Sequence, residues 1–255
     1  VHPLAGYTLE MLDDYPYWPD PDAYDSDGMA VQTRAMAQEF ATLGPWVSFF
    51  EIYCGMRGLE QSMMDLVLEP AFVHAVMGRI ESIQTAMLEN VLARTRDTLD
   101  AVFISDDMGS QMGLLISPEL WREFIKPRFA RWCDIAHAHG CKVLHHTDGA
   151  CRPLIPEYIE IGVDIINPIQ HACPGMEMDG LKRDFGDDLI FHGGVDTQKA
   201  LPFGDRDTVR AETRACLDEL GAGGGFVCCS CHNIQAGTPV ENILSMIETV
   251  RESGG

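Results

Sequence analysis

The chain has 255 residues and a formal net charge of −21, with 39 acidic side chains against 18 basic ones. That balance repels nucleic acid and anionic lipid, so neither is expected as a partner. At 46% hydrophobic residues, and with no apolar run near the ~18 residues of a membrane span, the composition predicts a water-soluble α/β-sized core.

The opening residues Val1-His2-Pro3-Leu4 show no basic stretch ahead of an apolar core, so no signal peptide is read. They also lack an initiator methionine, which suggests that the numbering starts inside a longer parent sequence. Nine cysteines, an odd number without framework spacing, predict a reduced, cytoplasmic protein.

In chain order, the Tyr15-Pro16-Tyr17-Trp18-Pro19-Asp20-Pro21-Asp22 segment reads as extended rather than helical, followed by a helix over about 30–43. Six strand-like runs follow, at 47–53, 101–105, 142–146, 163–167, 189–193 and 225–229. Helical patterns separate and follow them at 59–96, 118–139, 153–161, 178–185, 205–220 and 239–252. Ser117-Pro118 makes a helix start, and Gly140 and Gly221 stand where helices end. Apolar strands alternating with helices predict a parallel sheet covered on both faces. No G-x-G-x-x-G follows the first strand, and Gly221–Gly225 precedes a strand, so it reads as a helix-to-strand turn and not a phosphate cradle. Polar clusters after the strands favour a (β/α)8 barrel, whose chemistry sits at the C-terminal rim. The whole of 1–255 reads as one barrel domain, short of its first two strands.

Those strand ends supply Glu51, Asp106-Asp107, His145-His146-Thr147-Asp148, Asn167 with Gln170, His192 with Asp196, and Cys228-Cys229-Ser230-Cys231-His232. Alternation along a strand sends His146 and Asp148 one way and His145 and Thr147 the other. His146-x-Asp148 therefore forms a two-ligand clip, with His232 as its third member. Two imidazoles and a carboxylate suit catalytic zinc or non-haem iron, zinc first, although a metal-free hydrogen-bonded site uses the same residues. Asp107 is the candidate general acid or substrate anchor and Asp106 a candidate for substrate binding, although an aspartate here can equally cap a helix or brace a loop. Glu51, Asn167, Gln170, His192 and Asp196 are candidates for substrate hydrogen bonds. The Cys228/Cys231 spacing resembles a zinc clip, but buried cysteine packs as a small hydrophobe, and only Cys229 or Cys231 is expected near a pocket.

Several stretches together resemble the uroporphyrinogen decarboxylase superfamily. They are His2-Pro3-Leu4, Trp18-Pro19-Asp20-Pro21, Ser117-Pro118-Glu119 with Lys126-Pro127-Arg128, and His146-Thr147-Asp148-Gly149. Further on come Gly162-Val163-Asp164, Asn167-Pro168, Gly193-Gly194-Val195-Asp196, His232-Asn233-Ile234 and Thr238-Pro239-Val240-Glu241-Asn242. The resemblance implies a (β/α)8 barrel with about two family strands upstream of Val1. It implies either a zinc-dependent methyltransferase serving a corrinoid protein or a metal-free decarboxylase. The methyltransferases hold zinc with a His-x-Cys pair and a late Cys. Here His146 matches the histidine, Asp148 the first cysteine and His232 the late one, which leaves a harder N/O site. The decarboxylase's late histidine also falls on His232. Its polycarboxylate substrate needs inward-facing cations, and only Arg57 and Arg152 fall near the predicted rim. The expectation is a metal-assisted methyltransferase acting on a small methylated or methoxylated substrate, partnered by a corrinoid-binding protein. An unpaired barrel edge would favour a homodimer.

Overall fold

The computed structural model describes residues 2–254. The chain forms two compact units: the first takes in residues up to Asp107, Ile116–Leu144 and Glu160–Gly162, and the second Met108–Leu115, His145–Ile159 and the chain from Val163 onward.

The first unit begins with 3-10 turns at Leu9–Asp14 and Pro21–Ala23. It continues with α1 (Ser26–Met36), β1 (Leu43–Val47), α2 (Phe50–Arg57), α3 (Leu59–Leu68), α4 (Pro70–Arg94), β2 (Ala101–Ser105), α5 (Pro118–Phe124) and α6 (Lys126–Ala138). Strand β3 (Lys142–His146) passes from the first unit into the second. There follow α7 (Ile155–Glu160), β4 (Ile165–Ile169), α8 (Met178–Phe185), β5 (Ile190–Val195), α9 (Ala200–Phe203), α10 (Arg206–Leu220), β6 (Phe226–Ser230) and α11 (Val240–Glu252). The six strands lie in one sheet in chain order, and β1–β2, β4–β5 and β5–β6 pair in parallel. Strands in sequence order joined through helices make this an α/β fold of the (β/α)8-barrel class, with six of the eight strands. No helix among the described residues is long and apolar enough to cross a membrane.

The core of the first unit is aromatic: Phe49, Phe50, Trp121, Phe124, Phe129 and Trp132 are all buried. Phe49 stacks on Trp132 with ring centroids 3.6 Å apart, and the indole N–H of Trp132 donates to Thr85 Oγ1 at 2.9 Å, so the ring's one polar group is paired. In the second unit Leu154, Tyr158, Ile166, Leu181, Phe191, Val209 and Leu220 fill the space between strands and helices.

One predicted element is overturned. The run 47–53, rich in Val, Phe, Ile and Tyr, reads as a strand on propensity. The strand instead ends at Val47, and helix α2 starts at Phe50. The cause is Asp106, whose buried carboxylate accepts from Phe50 N at 2.7 Å, Glu51 N at 2.9 Å, Phe49 N at 3.0 Å and Ser48 Oγ at 2.8 Å. It satisfies the orphan N–H groups of the first helical turn from more than fifty residues away. Smaller differences have local causes. Pro70 restarts the predicted 59–96 helix as α4, and the 118–139 helix breaks at Ile125, ahead of Lys126-Pro127. The β2, β3 and α8 ranges agree with those expected.

Candidate functional site

Strand β3 delivers the chemistry of the second unit. His145 and Thr147 are fully buried while His146 and Asp148 are half-buried, so strand alternation continues past the end of β3. The His145 ring meets Tyr158 edge-on at 4.5 Å. Thr147 donates its N–H to Asn167 O at 2.7 Å and accepts from Met108 N at 3.0 Å, which anchors the segment after β2. That segment closes on the Asp148 turn by backbone alone. Ala150 N donates to Ser110 O at 2.8 Å, and a Cβ at Gly109 would collide with the Asp148 carbonyl oxygen. Gly149 has φ +80° and faces the Ser110 backbone just as closely, so only glycine fits there. Its N–H donates to Gln170 Oε1 at 3.0 Å.

His146, Asp148 and His232 converge: one ligand atom from each lies within 4.8 Å of the others. His232 Nε2 is 3.5 Å from Asp148 Oδ2, and the two imidazole centroids are 5.8 Å apart. Behind them runs a hydrogen-bonded row. His146 Nδ1 is 2.6 Å from Asn167 Oδ1, and Asn167 Nδ2 is 2.6 Å from His192 Nδ1. The amide oxygen can only accept and the amide nitrogen only donate, which assigns both tautomers. His146 Nδ1 is the donor to Asn167, and His192 Nδ1 is the acceptor from it.

Burial, with the neighbouring His146 acting in the same direction, holds the His192 imidazole below its ordinary value. The folded chain then binds fewer protons here than the unfolded one. Its stability contribution is present above the unfolded pKa and is lost as pH falls through that value toward the lowered one. The thermal midpoint of the wild type should therefore fall more steeply below about pH 6.5 than that of His192→Gln. Parallel pH curves for the two proteins would disprove the linkage.

Cys229 Sγ sits 3.5 Å from His192 Nδ1. Burial pushes its thiol up to about 11 and that of Cys228 up to about 12, so both are neutral thiols at ordinary pH. Cys231 is buried, 3.3 Å from Thr197 Oγ1.

A cavity of about 240 Å³ opens beside the cluster, walled by Asp148, Cys231, His232, Thr197 and five carboxamides: Gln111, Gln170, Gln198, Asn233 and Gln235. Gln111 and Gln170 bond reciprocally at 2.9 and 3.3 Å, and Gln198 Nε2 donates to Gln111 Oε1 at 3.2 Å. No lysine or arginine is among these wall residues.

The other predicted site residues go elsewhere. Asp106 is the α2 cap described above; burial pushes its carboxyl up to about 7 against the pull of its backbone and Ser48 donors. Glu51 lies in α2, not at a strand end, and accepts from Ser105 Oγ at 3.0 Å. Asp107 follows, half-buried, in the first unit. Asp196 accepts from the N–H groups of Gln198, Lys199 and Ala200, bracing the turn into α9. Neither arginine is offered to a ligand. Arg57 pairs with Asp65 at 2.6 Å and donates to the Leu4 and Tyr7 carbonyls, and Arg152 is held by Asp184 and the Gly175 carbonyl. Gln111, Thr197, Gln198, Asn233 and Gln235 were not anticipated.

Comparison with known proteins agrees with the barrel. A solved methyltransferase from Methanosarcina mazei superposes with a TM-score of 0.73 at 14% sequence identity, over 100% of this chain and 71% of that one; at that identity the likeness speaks for the fold alone. Among curated proteins, the uroporphyrinogen decarboxylase of Anaeromyxobacter dehalogenans (strain 2CP-C) is 22% identical over 91% of this chain. That of Coxiella burnetii (strain Dugway 5J108-111) is 23% identical over 90%. The chain spans 64% and 62% of the length of these two relatives. The family model described as "Uroporphyrinogen decarboxylase (URO-D)" matches residues 28–253, nearly the whole sequence, and the chain belongs to that family.

Proposed function

We propose that the protein is a metal-assisted methyltransferase of the uroporphyrinogen decarboxylase superfamily. It would move a methyl group between a small methylated or methoxylated compound and a corrinoid held by a partner protein. The observation that carries this reading is the convergence of His146, Asp148 and His232 at a cavity without cationic walls.

The donor set fits a divalent ion such as zinc: two imidazole nitrogens and one carboxylate oxygen, with His146 and Asp148 half-buried and His232 exposed, and with room on the cavity side for substrate. Asn167 supports the fit by holding His146 through Nδ1, the outer-shell bond that ligating histidines ordinarily make. Where the resembling methyltransferases carry thiolates, Asp148 and His232 supply harder donors. When bound, the ion supplies Lewis acidity toward the oxygen or sulfur that gives up or takes the methyl group. The chain's own residues do the rest. The Gln111–Gln170–Gln198 amides hold a polar, uncharged substrate by hydrogen bonds.

The names of the curated relatives favour a second reading, metal-free decarboxylation of a porphyrinogen with His232 assisting proton transfer. Its polycarboxylate substrate would meet Asp148 and no lysine or arginine in this cavity, an unfavourable match in a low-dielectric cleft. The deciding assay uses the protein with its natural flanking sequence and supplies cob(I)alamin with simple methyl ethers and thioethers. Zinc-dependent appearance of methylcobalamin is the expected result. Metal-independent turnover of a polycarboxylated porphyrinogen, with no methyl transfer, would overturn it.

A further inference from the structure

A second set of ligating side chains in the same unit shares no residue with the first. Glu212 and Cys216 stand four residues apart on α10, so both leave the same face of that helix. His171 reaches them from the loop after β4, its Nε2 2.7 Å from Glu212 Oε1. Cys216 is fully buried, whereas the His171 and Glu212 side chains are 22% and 20% exposed. One side of the group is therefore open to an entering ion and the other is walled by protein.

One ligand atom from each of the three lies within 4.8 Å of the others. Donors around a tetrahedral zinc ion at 2.0–2.3 Å sit about 3.3–3.8 Å apart, so closing the group takes about an ångström of side-chain movement. An ion pair packed beside a thiol is the ordinary alternative, and the neighbours bear on it. Glu212 Oε1 also accepts from Asp196 N, but at a long 3.4 Å. The Cys216 sulfur faces Gly194 of β5, where an added Cβ would come to 3.2 Å from it.

We propose that His171, Glu212 and Cys216 form a second metal site that takes a borderline divalent ion such as zinc. Nitrogen, oxygen and sulfur donors in one site select that class over magnesium or calcium. The ion ties the loop after β4 to α10. His171 adjoins Gln170, which holds both the Gly149 N–H and Gln111, so the tie stiffens the amide wall of the cavity.

Cobalt(II) substituted for zinc separates this site from the first. A cysteine–cobalt bond absorbs strongly in the near ultraviolet by charge transfer, and the His146–Asp148–His232 set contains no sulfur. The protein titrated with cobalt should show that band and bind two equivalents. The His146→Ala/His232→Ala protein should keep the band and one equivalent. Cys216→Ser should lose the band, and His171→Gln should weaken cobalt binding here by more than the 10–100-fold typical of an outer-shell change. Because Cys216 is buried, circular dichroism checks that its variant folds; the part-exposed His171→Gln tests the same site should it not. The proposal is overturned if the wild type shows no thiolate band, if the band survives Cys216→Ser and so belongs to another cysteine, or if His171→Gln binds cobalt unchanged. None of these results depends on whether methyl transfer is observed.

Discussion

His146→Ala and His232→Ala should each abolish zinc-dependent methyl transfer and weaken zinc binding at the first site by at least about 100-fold, beyond the usual outer-shell loss. Both proteins should stay folded. His232 is exposed, where substitutions usually shift stability by no more than about 0.5 kcal/mol, and the Asn167 bond lost with half-buried His146 is worth only about 1 kcal/mol. Asn167→Leu provides the graded comparison. It keeps all three donors but removes the oxygen that takes the His146 Nδ1 proton, so its zinc affinity should fall roughly 10–100-fold. Isothermal titration with zinc reads the series directly. Unchanged affinity in both alanine variants would end the case for a metal at these residues.

Asp106→Ala should be among the most destabilising single substitutions in the chain. It strips one acceptor from four donors at once, three of them backbone N–H groups of the Phe49–Glu51 turn. Leaving buried polar groups without a partner is the expensive half of hydrogen-bond energetics. A loss of roughly 3–5 kcal/mol follows the pattern of broken buried charge networks, which lowers the melting temperature by roughly 6–20 °C for a chain of this length. Asp106→Asn, which retains one accepting oxygen, should recover part of the loss. Differential scanning calorimetry tests both; a midpoint within 2–4 °C of wild type, about 1 kcal/mol at this size, would refute the capping account.

The same residue shows where reading the sequence stops. An Asp-Asp pair after a strand looks like chemistry because the partners of Asp106 lie more than fifty positions away, and nothing local distinguishes a cap for a distant helix from an acid in a cleft. For the same reason the 47–53 run reads as a strand: its propensities are those of β-structure, and the cap that makes it helical is non-local. His146-x-Asp148, by contrast, was legible because period-two alternation is a local rule, and His145 and Thr147 are buried on the opposite side as that rule requires. Arg57 and Arg152 were read as rim cations from position alone, whereas Asp65 and Asp184 hold them. Gln170 was picked out at a strand end, but the rest of the carboxamide wall was invisible for a different reason. Glutamine has no characteristic spacing, and Gln111, Gln170, Gln198 and Gln235 come from four separate segments that only the folded chain assembles.

The contact of Gly109 with the Asp148 carbonyl has a practical side for anyone recutting this barrel by directed evolution. Positions 110–114 can be randomised to reshape the cavity mouth. A side chain at 109 or 149 would instead lever the acid's main chain outward and spoil a clone without touching a single reactive group. Libraries that hold those two positions fixed should retain a far larger active fraction.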